Sequence, residues 1–219
     1  MNFLALCKRL AQEAGVAGGA DAITTVAGVT GEARRIVDWC AGAWSEIQGQ
    51  RHWTFRWEQP TLTLLAGEST IAAAIPESDY MRGGTWLLQP ASAADTWLTF
   101  LPWGEFSQVY RRLNTDDNLT CWTVRPDNTL AFNARVTADA SILVERFKAP
   151  VQLVNDDDAP AIPAHLHMMI VWRALVLYAN FDEAGVQRQT AVDEYTALHS
   201  QLCNRYLPSI ELGGPMIEE

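Results

Sequence analysis

The chain has 219 residues, enough for one sizeable domain or a domain carrying an insertion, and 48% of them are hydrophobic. Its formal charge of −10 and pI near 4.8 oppose recognition of a phosphate backbone, which needs clustered lysine and arginine, but not an acidic wall that nucleic acid slides past. Only 19% of residues are charged and nine are tryptophan, a balance that points to surface covered by something other than water.

Phe3, Leu6, Cys7, Leu10 and Ala14 follow helical spacing, and Gly15 closes the pattern as a C-terminal cap. The segment GVAGGADAITTVAGVTG that follows is small and glycine-rich and reads as a flexible loop. Thr30 caps the next predicted helix, Glu32 sits in its first turn against the helix dipole, and Ile36, Cys40, Ala43, Trp44 and Ile47 form its buried stripe. At Trp53 the period becomes two: Trp53, Phe55 and Trp57 alternate with Thr54 and Arg56, predicting one strand with three aromatics on a single face. The same period recurs in TLTLLAG, STIAAAI, TWLLQP, DTWLTFL, TCWTVRP, TLAFNARV and SILVERF, separated by turn residues such as Pro76, Gly83-Gly84, Pro90 and PDN. Within this β-rich stretch PWGEFSQVYRRL reads as a short helix with Phe106, Val109 and Tyr110 on one side.

After Pro150, VNDDDAPAIP reads as a loop, and HLHMMIVWRALVLYANF is apolar on nearly all sides, as a helix surrounded by protein would be. A last helix carries Ala191, Tyr195, Leu198, Leu202 and Tyr206 and stops before Pro208. The expected fold class is therefore α+β: a helical bundle formed by N- and C-terminal helices, with a β-rich insertion between them. The expected domains are a helical body of residues 1–52 and 150–208, a β-rich insertion of residues 53–149 and an extended C-terminal tail of residues 209–219.

The search for chemistry finds little. His165 and His167, two apart on a helix, point to different faces and cannot chelate one ion, and His199 with Cys203 lacks two further ligands. Asp156, Asp157 and Asp158 lack the spacing of a calcium loop and read as a solvated turn. Four cysteines without a CxxC pair read as reduced thiols. Neither a G-x-S-x-G elbow nor a Walker loop is present. Arg173, the sole charge in MMIVWRALVLYA, calls for an ion-pair mate, with Asp38 and Glu46 as candidates. No catalytic, cofactor-binding or metal residue is nominated, and the chain is expected not to be an enzyme. The N-terminus lacks a signal-peptide cleavage pattern and no apolar run reaches the roughly 18 residues of a membrane span, so synthesis in the cytoplasm and no membrane partner are expected.

NFLALCKRLAQEAGV, TGEARRIVDWCAGAWSEIQ, HWTFRW and LPWGEFSQVYRR resemble the N-terminal half of the head-to-tail adaptor (connector) proteins of tailed bacteriophages, and VRPDNTLAF and IPAHLHMMIVWRALVLYANFDEA resemble that family's β segment and long helix. The resemblance covers the chain to about Pro208 and implies a structural virion protein at the head–tail junction. It implies a homo-oligomeric ring, commonly a dodecamer, with the portal protein on one side, a tail or nozzle protein on the other, and DNA passing through the channel without sequence-specific binding. Another tail or tail-tube virion subunit, or an enzyme or ligand-binding module with an inserted β domain, are the alternatives. The expected interface residues are Trp39, which lies off its helix stripe and would face a neighbouring subunit, and Ile210, Leu212, Met216 and Ile217, which would anchor the tail on the portal.

Overall fold

The computed structural model describes residues 1–72, 79–88, 94–110, 114–115, 118–181 and 185–207. Contacts divide the chain into two units, Met1–Phe55 with Pro150–Glu219, and Arg56–Ala149. Among the described residues there are five α-helices and eleven strands, the strands falling between the N- and C-terminal helices in sheets of five, four and two. This corrects the expected fold class: the chain has a β-rich fold with its strands between the N- and C-terminal helices, and the expected helical bundle is not borne out. Apolar periodicity tells which face of a helix is buried, but not what buries it. Here non-helical chain supplies part of the cover, because Ile23, Val26, Leu153 and Ile162 share one core with the helices.

The first unit holds α1 (Phe3–Glu13), α2 (Gly31–Gly49), α4 (Met168–Phe181) and α5 (Gly185–Tyr206). The predicted stripes are the buried ones: Phe3, Leu6, Cys7 and Leu10 on α1, and Ile36, Cys40, Ala43, Trp44 and Ile47 on α2. α4 packs against α1, α2 and α5, which is why polar residues are nearly absent from its surface. Gly15, at φ 70°, ends α1 in the left-handed region that an L-residue enters only at a cost. Thr30 occupies the N-cap of α2, yet its hydroxyl makes no capping bond.

The glycine-rich segment is not the flexible loop its composition predicts. It contains a 3-10 turn at Gly19–Ala22, and it buries Ile23 completely and Val26 almost so. The aspartate run is likewise more than a solvated turn, because it clasps distant chain. The carbonyls of Asp158 and Asp156 accept the Phe3 and Leu4 N–H groups at 2.7 and 3.2 Å, satisfying orphan donors of the first turn of α1. Asp156 Oδ1 accepts the Val26 N–H at 2.7 Å and the Thr25 hydroxyl at 3.2 Å. Gln48, 2% exposed, donates to the Val151 carbonyl and accepts the Val151 N–H, both at 3.0 Å, so a side chain of α2 pairs the returning chain as a neighbouring backbone would.

At the C-terminal end of α2 the predicted strand is absent. Thr54–Arg56 is a 3-10 turn and β1 begins only at Trp57 (Trp57–Glu58). Trp53 is fully buried, and its indole N–H donates to the Ile47 carbonyl at 2.6 Å, capping the helix. Phe55 stacks between Trp44 and Trp53, with 6.0 Å between centroids on each side, and the Tyr206 ring meets it edge-on at 5.7 Å. Trp57, by contrast, is 44% exposed in the other unit. The turn separates these aromatics because its three-residue period breaks the alternation the sequence displays.

The second unit stacks two sheets around one core. The five-stranded sheet joins β1, β2 (Thr61–Leu64), β4 (Tyr80–Leu88), β5 (Thr96–Trp97) and β11 (Ala140–Phe147). The four-stranded sheet runs β3 (Thr70–Ala72), β9 (Thr129–Phe132), β8 (Cys121–Val124) and β6 (Thr99–Phe100). β7 (Asn114–Thr115) and β10 (Ala134–Arg135) pair separately. Leu64, Leu87, Ile142 and Val144 of one sheet meet Trp122, Val124, Leu130 and Phe132 of the other in that core. The chain passes between sheets at the buried Leu98. Gly83-Gly84 is not a turn but lies inside β4, beside a register shift against β11. A Cβ on Gly84 would sit 2.5 Å from the Glu145 Cβ, so the glycine permits a close approach. PDN is the turn expected, with Asn128 at φ 61° closing the β8–β9 hairpin.

Candidate functional site

Trp39 is half-buried on α2, its indole edge-on to Tyr178 at 5.5 Å and tilted against Phe181 at 5.7 Å. Phe181 closes α4 with 59% of its surface exposed, and the Arg35 guanidinium lies 4.6 Å from its ring centre. Trp39 therefore belongs to an intrachain aromatic cluster whose exposed member is Phe181, a residue the sequence reading did not single out. Its signal was position: a large aromatic as the last residue of an apolar helix. Ile210, Leu212, Met216 and Ile217 lie outside the described residues.

The outer faces of the two sheets differ. On the five-stranded sheet Trp86 pairs with Trp97 on one side and with Leu143 on the other, a cross-strand row in which Trp97 is 55% exposed. On the four-stranded sheet Thr70, Ala131 and Thr123 are in register, and α3 (Trp103–Val109) lies over this face with Phe106 buried and Val109 exposed. Between helix and sheet is a cleft of about 600 Å³ lined in part by Trp103, Phe106, Tyr110 and Arg125. The Arg125 guanidinium lies 5.4 Å from the Trp103 ring centre.

The residues weighed for metal or acid–base chemistry are dispersed. His165 is exposed on a 3-10 turn, whereas His167 is buried and holds the Ile162 carbonyl through Nε2 at 2.8 Å, with the Met1 amine 2.7 Å from Nδ1. Neutral imidazole with its proton on Nε2 satisfies both contacts. His199 contacts Gln50 at 3.0 Å, with Cys203 at 3.7 Å. Arg173 finds Glu46, not Asp38, in a two-pronged pair at 2.9 and 2.7 Å; Asp38 instead pairs with Arg34. Among the described residues no three His, Cys, Asp or Glu side chains gather as metal ligands, and no helix is long and apolar enough to cross a membrane.

Burial lowers the His167 proton affinity below the ordinary value of 6.5; the Met1 amine adds to this and the Ile162 carbonyl opposes it. Burial, with the charge of Arg51, shifts His199 the same way. A histidine held neutral by the fold is protonated first in the unfolded chain, so stability is full above the unfolded value and declines as pH falls through it. The urea midpoint is expected to drop between about pH 7 and about pH 5, and less steeply in His167→Gln. Parallel slopes for the two proteins would remove His167 as the cause.

These observations define a protein built from packed cores and exposed aromatic surfaces, the makings of an assembly component. The family model described as SU10 adaptor protein matches residues 1–212. The chain belongs to that family, and is a structural adaptor protein of a bacteriophage, a component of the virion assembled with other structural proteins. No curated protein matches the chain.

Proposed function

We propose that the chain is the head-to-tail adaptor of a tailed phage: a homo-oligomeric ring, of twelve copies in the reading adopted, between portal protein and tail or nozzle protein, surrounding the channel through which DNA passes. The family match over residues 1–212 carries this reading. The net charge of −10 supports it, since an acidic wall does not trap phosphates during passage. The exposed aromatics Phe181, which packs on Trp39, and Trp97 support it as apolar area that ring neighbours would cover. The tail, through Ile210, Leu212, Met216 and Ile217, is the portal contact. Catalysis has no part in this role.

Mixing the protein with portal and viewing it by negative-stain microscopy is expected to give rings docked under the portal. Deleting residues 209–219 should leave the thermal unfolding of the chain within about 2 °C of the parent while weakening portal binding at least about tenfold. Undiminished binding by the truncated chain would overturn the assignment of the tail.

A further inference from the structure

We infer that the cleft between α3 and the four-stranded sheet is a docking site for an extended acidic–apolar peptide segment of another virion protein, with Arg125 as its carboxylate receptor. The inference rests on the adaptor reading for the identity of the partner, and on the cleft itself for the chemistry. Small side chains at Thr70 and Ala131 make the floor, and Phe106, the buried residue of α3, lines the opposite side of a space of about 600 Å³, within the range of sites that hold a ligand. One wall is aromatic: Trp103 stacks on Phe106 at 6.2 Å and Phe106 leans on Tyr110 at 5.0 Å. Ser69, Ser107 and Gln108 add polar groups around the same space.

The charge decides what fits. Arg125 is half-buried, held against the Trp103 ring at 5.4 Å, and among the described residues no carboxylate forms a salt bridge with it. Asp127, the carboxylate nearest in sequence, is exposed and accepts the Thr129 N–H at 3.1 Å, closing the hairpin turn; its proton affinity is lowered mainly by Thr129 and only secondarily by the charge of Arg125, with which it forms no salt bridge. A planar guanidinium pre-oriented on an indole presents its fork to an incoming carboxylate with little entropy left to lose. In a chain of charge −10, one such cation beside three aromatic rings complements a segment in which glutamate or aspartate alternates with large apolar residues.

The test uses the full chain and a dye-labelled, end-blocked peptide alternating leucine with glutamate, read by fluorescence anisotropy beside its glutamine counterpart. The glutamate peptide is expected to bind about tenfold tighter than the glutamine peptide at low salt. Arg125→Gln should erase that difference, and Gln108→Glu, at the exposed rim, should weaken the acidic peptide alone; thermal melts verify that both variants fold. Equal binding of the two peptides, or discrimination that survives in Arg125→Gln, would overturn the proposal. Inorganic phosphate displacing the peptide at concentrations as low as the peptide's own would overturn it too, in favour of a small-anion site. Because the assay needs no portal, the two readings fail separately: rings without peptide discrimination remove the cleft, and discrimination without rings removes the adaptor role.

Discussion

Trp53→Ala is expected to destabilise the chain by about 3–5 kcal/mol, the range for removing a large buried aromatic. Trp53 is completely buried, and its loss opens a cavity beside Phe55, which then stacks on Trp44 alone. The substitution also removes the indole N–H from the Ile47 carbonyl, leaving the end of α2 without that cap. Urea unfolding followed by far-UV circular dichroism measures the effect, because α2 and α5 both border this stack. A loss below about 1 kcal/mol would mean the surrounding chain collapses into the space.

Trp122→Ala should cost a similar amount, about 3–5 kcal/mol, in the other unit. The Trp122 ring is fully buried between Tyr80 and Phe100, which meet it edge-on at 5.7 and 5.1 Å, and it belongs to the core both sheets share. The two tryptophans part company on replacement by phenylalanine. The Trp122 indole N–H is buried without a hydrogen-bond partner among the described residues, so phenylalanine removes a desolvated donor along with ring volume. At Trp53 the same change breaks a 2.6 Å hydrogen bond. Trp53→Phe should therefore cost about 1–3 kcal/mol more than Trp122→Phe. Equal costs would show that ring volume alone sets both.

The aromatic-rich stretch from Ile36 to Trp57 shows how far local pattern reaches. Trp44 lies on the helical stripe and is buried as that spacing predicts, and the breakdown of the helical period marks where α2 ends. The alternation of Trp53, Phe55 and Trp57 predicts one strand face. Backbone turning at Thr54–Arg56 instead sends Trp53 and Phe55 into one unit and Trp57 into the other. Residue types favourable to a strand were overruled by packing, since Trp53 and Phe55, stacked in a row with Trp44, bury more apolar surface than an exposed edge would. A glycine pair read as a turn was a strand interior for a related reason: the Glu145 side chain occupies the space a Cβ would need.

The interface residues show the same division. Position off the stripe marked Trp39 as unusual, but its neighbours Tyr178 and Phe181 lie far away in sequence, and only their packing reveals that Phe181 carries the exposure. The cleft had no legible motif, because Trp103, Arg125 and Ala131 come from a helix, a hairpin and a strand with nothing repeated between them.

By itself the sequence determined the helical stripes of α1, α2 and α5, the strands at TLTLLAG, TWLLQP, DTWLTFL, TCWTVRP, TLAFNARV and SILVERF, the PDN hairpin and the resemblance that the family match bears out. These depend on periods of two and 3.6 residues and on turn chemistry, which a few neighbouring positions encode. Tertiary structure decided what covers the stripes, and it placed the aspartate run on the first turn of α1, Gln48 on Val151, and Arg125 in an aromatic cleft. Those outcomes join residues far apart in the chain, where the partner is selected by burial and by the need to satisfy every enclosed polar group rather than by local propensity.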